Sequence, residues 1–195
     1  MMLLNIVMTI FMLCFFGFLI YIIVRGVRTF IDYPKLFRNG MAEIEDHLAQ
    51  SDFTPEQIIG HTNRMNCTAS YYLFIDYEKE QWLMTSPVSA EKDLTIRSFK
   101  DVIAVDVFDE DANTWVDKLP ATGRNKNMSV TGSYGIRVRT TKSPLIYDFM
   151  KSGVGRAAVK SAPRLDRNTK AFKQDEVTIS EQVSAFEDMI HKNKS

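Results

Sequence analysis

The chain has 195 residues, 45% of them hydrophobic, with 24 basic and 24 acidic residues and only two cysteines. That length suits one ordinary domain with its own core plus an appended segment, and Cys14 and Cys67 are too few and too differently placed for a disulfide framework. The formal net charge is zero but polarised: residues 53–118 carry twelve acidic against six basic residues, whereas residues 119–173 carry twelve basic against two acidic, and a domain with an acidic and a basic half can orient itself on an anionic surface.

Residues 1–24, MMLLNIVMTIFMLCFFGFLIYIIV, contain no Asp, Glu, Lys, Arg or His. A helix of that length rises roughly 36 Å, more than the roughly 30 Å of a hydrocarbon core. Its fifteen Leu, Ile, Val and Phe residues favour insertion, and the polar Asn5 and Thr9 lie near its start. Nothing basic precedes the run, and it ends without a small-x-small pair. An uncleaved signal-anchor is therefore expected rather than a removed signal peptide. Arg25, Arg28, Lys35 and Arg38 follow the span and act as topology determinants, because basic flanks prefer the cytoplasm. The expectation is a single-pass protein of the cell (inner) membrane, N-terminus outside and C-terminal domain cytoplasmic.

Residues 25–40 interleave aromatic and basic side chains and read as a juxtamembrane neck, lying either in the headgroup region or packed against the soluble domain, with Pro34 expected to interrupt the helix. Residues 41–195 then form the cytoplasmic domain. Met41, Ile44 and Leu48 recur at helical spacing. Thr54-Pro55-Glu56-Gln57 has the form of an N-cap, a proline at N1 and a glutamine at N3, predicting a short helix to Gly60, with an extended segment as the competing assignment.

From Ser70 the period changes. YYLFID (71–76) and QWLMTS (81–86) flank a polar tetrad and predict a β-hairpin. LTIR (94–97) suggests a short strand, and residues 98–108 a longer one with Ile103, Val105 and Val107 on one side and Ala104 and Asp106 on the other. SYGIRVRT (133–140) and LIYDFM (145–150) predict a second hairpin, Ile136 and Val138 inward and Arg137 and Arg139 outward. Residues 151–173 are small and basic and read as a loop, with one short helix near Arg156. The final helix is expected from a Thr178/Glu181 capping box, its apolar stripe formed by Ile179, Val183, Phe186 and Ile190.

FIDYEKEQWLMTS followed by SFKDVIAVDVFDE resembles bacterial membrane-anchored domains of unknown function with a pleckstrin-homology-like (PH-like) barrel. The likeness covers residues 71–110 and breaks down in the polar loop at 112–132. It implies an α+β fold, an N-terminal transmembrane helix followed by an antiparallel PH-like sheet or barrel capped by a C-terminal helix. It implies no functional residues.

Chemical signatures are few. Asp109, Asp111 and Asn113 begin like a calcium loop, but Thr114 stands at the glycine position and Pro120 where the bidentate glutamate belongs. His61 and Cys67 lack a second ligand pair, His47 and His191 stand apart, and the turn at Gly153 and Gly155 has no phosphate-loop lysine. The reading is therefore of no enzyme, cofactor, metal or evident small-molecule substrate. Basic residues at Arg137, Arg139, Lys151, Arg156, Lys160, Arg164, Arg167 and Lys170 are the candidate anionic-surface binders, each worth on the order of 1 kcal/mol near an acidic leaflet. Among residues 151–173 only Phe172 is aromatic, which disfavours nucleic acid. The expected function is a non-enzymatic protein-binding module with membrane lipid as a second partner. The alternatives are a lipid-headgroup-binding domain, or a structural subunit held through its transmembrane helix.

Overall fold

The computed structural model describes residues 2–63, 68–111, 130–149 and 165–194. Helix α1 (Met2–Gln50) is followed by β1 (Gln57–Ile59), β2 (Thr62–Asn63), β3 (Thr68–Ala69), β4 (Tyr72–Asp76), β5 (Gln81–Thr85), β6 (Arg97–Ser98), β7 (Val102–Asp111), β8 (Val130–Thr140), β9 (Pro144–Asp148), β10 (Leu165–Asp166) and helix α2 (Lys170–Lys192). One antiparallel sheet has the order β1-β4-β5-β6; the other runs β10-β8-β7, with β9 also paired to β8; β2 and β3 form a two-stranded ribbon. The architecture is thus α+β, with two antiparallel sheets between a long first helix and a closing last one.

The first predicted hairpin forms with Tyr72 opposite Thr85 and Asp76 opposite Gln81. Its core strands are buried on both faces, which is why they read as nearly continuous apolar runs. Leu73, Ile75, Trp82 and Met84 join Ile136, Val138, Phe172, Ile179 and Phe186 on one side. Tyr72, Phe74 and Leu83 meet Tyr33, Ile44, Leu48, Phe53 and Val88 on the other. The turn is organised by Asp76, 1% exposed, whose carboxylate accepts from the Lys79 N–H at 2.8 Å and the Thr54 N–H at 3.1 Å. Asp76→Ala leaves both donors unserved and is expected to cost about 2–3 kcal/mol, read as a shift in a urea midpoint.

Several expectations are corrected. Pro34 does not end the helix: α1 continues to Gln50 with the proline inside it. The lost backbone bond is offset by packing, since Tyr33, Ile44 and Leu48 are buried in the domain and the Tyr33 hydroxyl lies 2.8 Å from Thr62 Oγ1. Of the two readings of the neck, its later part follows the second and packs against the domain. Residues 57–59 form strand rather than helix, because Glu56 N–H is taken by Ile75 O at 2.8 Å and the segment pairs with β4. The LTIR strand shrinks to Arg97–Ser98. Residues 99–101 form a 3-10 turn, and β7 starts at Val102 with an irregularity before Ala104 that leaves Ile103 57% exposed.

The second predicted hairpin is present, with Ile136 and Val138 fully buried between Arg137 and Arg139. The expectation of a loop through 173 fails at its end, where β10 pairs with β8 and α2 begins at Lys170. Thr169 is the N-cap, accepting from Phe172 N–H at 3.2 Å, so Thr178 lies inside the helix instead of capping it. Buried Phe172, tilted against Tyr134 at 4.8 Å between ring centres, holds this first turn. The predicted stripe is correct: Ile179 and Phe186 are buried, and Val183 and Ile190 pack against the same core. The helix near Arg156 lies outside the described residues.

Candidate functional site

The described candidates for anionic-surface binding are mostly engaged with the protein itself. Arg137 and Arg139 project from the outer face of β8, as the alternation predicts. The Arg137 guanidinium lies 5.7 Å from the Phe108 ring centre, and Arg139 Nε is 3.3 Å from Asp106 Oδ2. Arg167 Nη2 meets Asp109 Oδ1 at 2.7 Å, so the would-be calcium ligand Asp109 is half of an ion pair. Lys170 is exposed. Lys151, Arg156, Lys160 and Arg164 lie outside the described residues. On α1, Arg28 pairs with Asp32 at 3.5 Å, while Lys35 and Arg38 are exposed beside the docked stretch. Exposed ion pairs of this kind contribute about 0–1 kcal/mol each.

His61 stands at the start of the β2 segment, where its ring reaches α2. Nε2 lies 3.1 Å from Asp175 Oδ1 and Nδ1 lies 2.8 Å from Thr178 Oγ1. The Thr178 hydroxyl proton is given to Gln174 O at 3.1 Å, which commits it to the helix backbone and not to chemistry. One turn on, fully buried Gln182 donates from Nε2 to Ile59 O at 3.0 Å and to Tyr71 O at 2.8 Å. The cluster ties α2 to β1 and to the residue that leads into β4. Cys67 lies outside the described residues, and among those described no three His, Cys, Asp or Glu side chains converge as a metal site.

A cleft of about 180 Å³ opens where β5 ends beside β9. Its walls are Tyr71, Met84, Thr85, Leu145 and Tyr147, and Glu91 and Asp93 stand among its other lining residues. Two features distinguish it. The pairing of β6 with β5 stops at Trp82, so residues 83–85 have no strand on that side among the described residues. Likewise, among the described residues β9 pairs with β8 alone. Moreover, Thr85 is 2% and Tyr147 5% exposed, and neither side-chain oxygen has a hydrogen-bond partner among the described residues. Burial, opposed by the nearby Arg97 cation and reinforced by Asp93, pushes the Tyr147 hydroxyl well above its ordinary ionisation range, so it stays protonated and able to donate. Burial alone would raise Asp93, but hydrogen bonds from Thr95 and Arg97 outweigh it and hold the carboxylate below its usual range. Asp93 Oδ2 is 2.6 Å from Arg97 Nη2.

Two other tyrosines make the fold sensitive to alkali. Burial pushes Tyr72, beside Tyr33, and Tyr134, beside Glu176 and Asp109, up to about 12 from 10.0. Between these values the unfolded chain releases protons that the folded chain keeps. Stability is therefore expected to be complete below pH 10 and to decline as the pH climbs to about 12, with folded-state tyrosinate absorbance delayed over the same interval.

Sequence reading found the outward arginines but not this cleft. Tyr147 and Thr85 look like ordinary strand residues, and the only signal in the chain is that a buried tyrosine or threonine needs a hydrogen-bond partner. In class, the chain is an α+β protein whose first helix is long and apolar enough to cross a membrane. No protein family, no curated protein and no solved structure matches it.

Proposed function

We propose that this chain is a single-pass membrane protein displaying a cytoplasmic, non-enzymatic interaction module that binds another protein beside the bilayer. The observation that carries the reading is the continuity of α1. Residues such as Phe11, Leu13, Phe18, Ile20 and Ile23 are exposed all round the helix, none of the described residues covering them, and the same helix then buries Tyr33, Ile44 and Leu48 in the domain. An apolar surface of that extent suits lipid contact. Arg25, Arg28, Lys35 and Arg38 just beyond it support a cytoplasmic domain and give the module contacts with acidic headgroups. Two antiparallel sheets closed by a C-terminal helix support the PH-like reading of the domain.

The test uses full-length protein in its native membrane. A cysteine replacing exposed Lys100 is expected to resist an impermeant maleimide in intact cells and to react after permeabilisation. Photocrosslinkers on the domain surface are expected to capture a discrete polypeptide. Labelling in intact cells overturns the topology, and the absence of any protein adduct from every surface position overturns the module.

A further inference from the structure

We propose that the cleft between β5 and β9 is a docking site for an extended, neutral-to-basic polypeptide segment that runs beside β9 and accepts hydrogen bonds from Tyr147 and Thr85. The inference rests on the interaction-module reading and names the chemistry of the partner. Sites for whole small molecules are typically about 300–1,000 Å³, and this one is about 180 Å³. It suits one portion of a larger partner better than a free metabolite.

The groups in it ask for backbone chemistry. Tyr147 and Thr85 each carry a nearly buried O–H with no partner among the described residues, which a main-chain carbonyl entering the cleft satisfies. Among the described residues no strand pairs with the second flank of β9 or with residues 83–85 on the β6 side, so two strand edges border the opening. A strand added here makes the ladder that an edge otherwise lacks. Ile146, 60% exposed at mid-strand, provides an apolar contact for alternate side chains of the incoming segment.

Charge sets the sign of the partner. Asp93 is neutralised by Arg97, whereas the Glu91 carboxylate has no ion pair among the described residues. The mouth is left with one net negative charge. An acidic segment is disfavoured, and a neutral or lysine-bearing one is accepted.

The experiment titrates the full-length protein in lipid nanodiscs with three blocked heptapeptides of alternating threonine and valine, whose central residue is lysine, glutamine or glutamate. Saturable binding of the lysine and glutamine peptides is expected, at least tenfold weaker for the glutamate peptide. Tyr147→Phe and Thr85→Val keep the shape of each side chain and are each expected to weaken binding roughly three- to tenfold. N-methylation of alternate peptide amides should abolish it. Absence of saturable binding by all three peptides overturns the proposal, as does indifference to loss of the two hydroxyls, which would then be merely hydrated. A photocrosslinker at Ile146 separates the two levels of the argument. Adducts elsewhere on the domain but none at Ile146 remove this cleft and leave the module standing, whereas no adduct anywhere removes both.

Discussion

Phe186→Ala is expected to lower the unfolding free energy by about 3–5 kcal/mol, the loss typical of a large aromatic removed from a packed core. Phe186 is 0% exposed and meets the Trp82 ring edge-to-face at 4.9 Å between centres. That contact joins α2 to β5, so the cavity would open where the last helix closes the sheets. A domain is stable by only about 5–15 kcal/mol, and the variant should stand near the threshold of folding. Urea titration followed by tryptophan fluorescence checks it. Phe186→Leu, which refills most of the volume, should lose much less, and equal losses for the two variants would show that the helix does not depend on this contact.

Gly40→Leu is expected to part the docked stretch of α1 from the domain. A Cβ at position 40 would overlap the carbonyl oxygen of Pro87, and that oxygen belongs to backbone that cannot swing aside like a side-chain tip. Overpacking costs about 1–3 kcal/mol, and more where backbone meets backbone. The helix surface peeled away would carry Tyr33, Ile44 and Leu48 into water. Rapid proteolysis near residues 51–56 in the variant, against resistance in the parent, is the measurement. Gly26→Ala is the control: nothing lies within 4 Å of its Cβ, and the change should be neutral or raise helix stability by up to about 1 kcal/mol. Similar proteolysis of both variants would contradict the account.

Both hairpins were legible in the sequence because alternation and polar turns coincide there, and the stripe on α2 because Ile179, Val183, Phe186 and Ile190 share one helical face. What misled was local chemistry overruled by distant partners. Thr54-Pro55-Glu56-Gln57 has the form of a helix start, yet the Thr54 and Glu56 amides are claimed by Asp76 and Ile75. The opening of α2 looks like solvated loop because Lys170, Lys173 and Gln174 are polar, although Phe172 and Asp175 within it are buried. Pro34 argued for a break that packing does not allow. The outward arginines were visible as a pattern, but the pairing of Arg139 with Asp106 depends on strand register, and that of Asp109 with Arg167 on a residue 58 positions away. The cleft was invisible for a deeper reason: an unserved hydroxyl is a property of its surroundings and leaves no mark on the residue type.

The unbroken first helix makes the molecule a lever. About 26 residues follow Val24 before α1 ends, a shaft of about 39 Å. With no joint between that shaft and the sheets, a tilt of about 20° in the bilayer carries its far end sideways by about 13 Å. For the membrane-spanning helix proposed above, swapping thick for thin lipid should therefore sweep the whole globule through an arc, and the reach of the proposed binding edge becomes a readout of bilayer thickness.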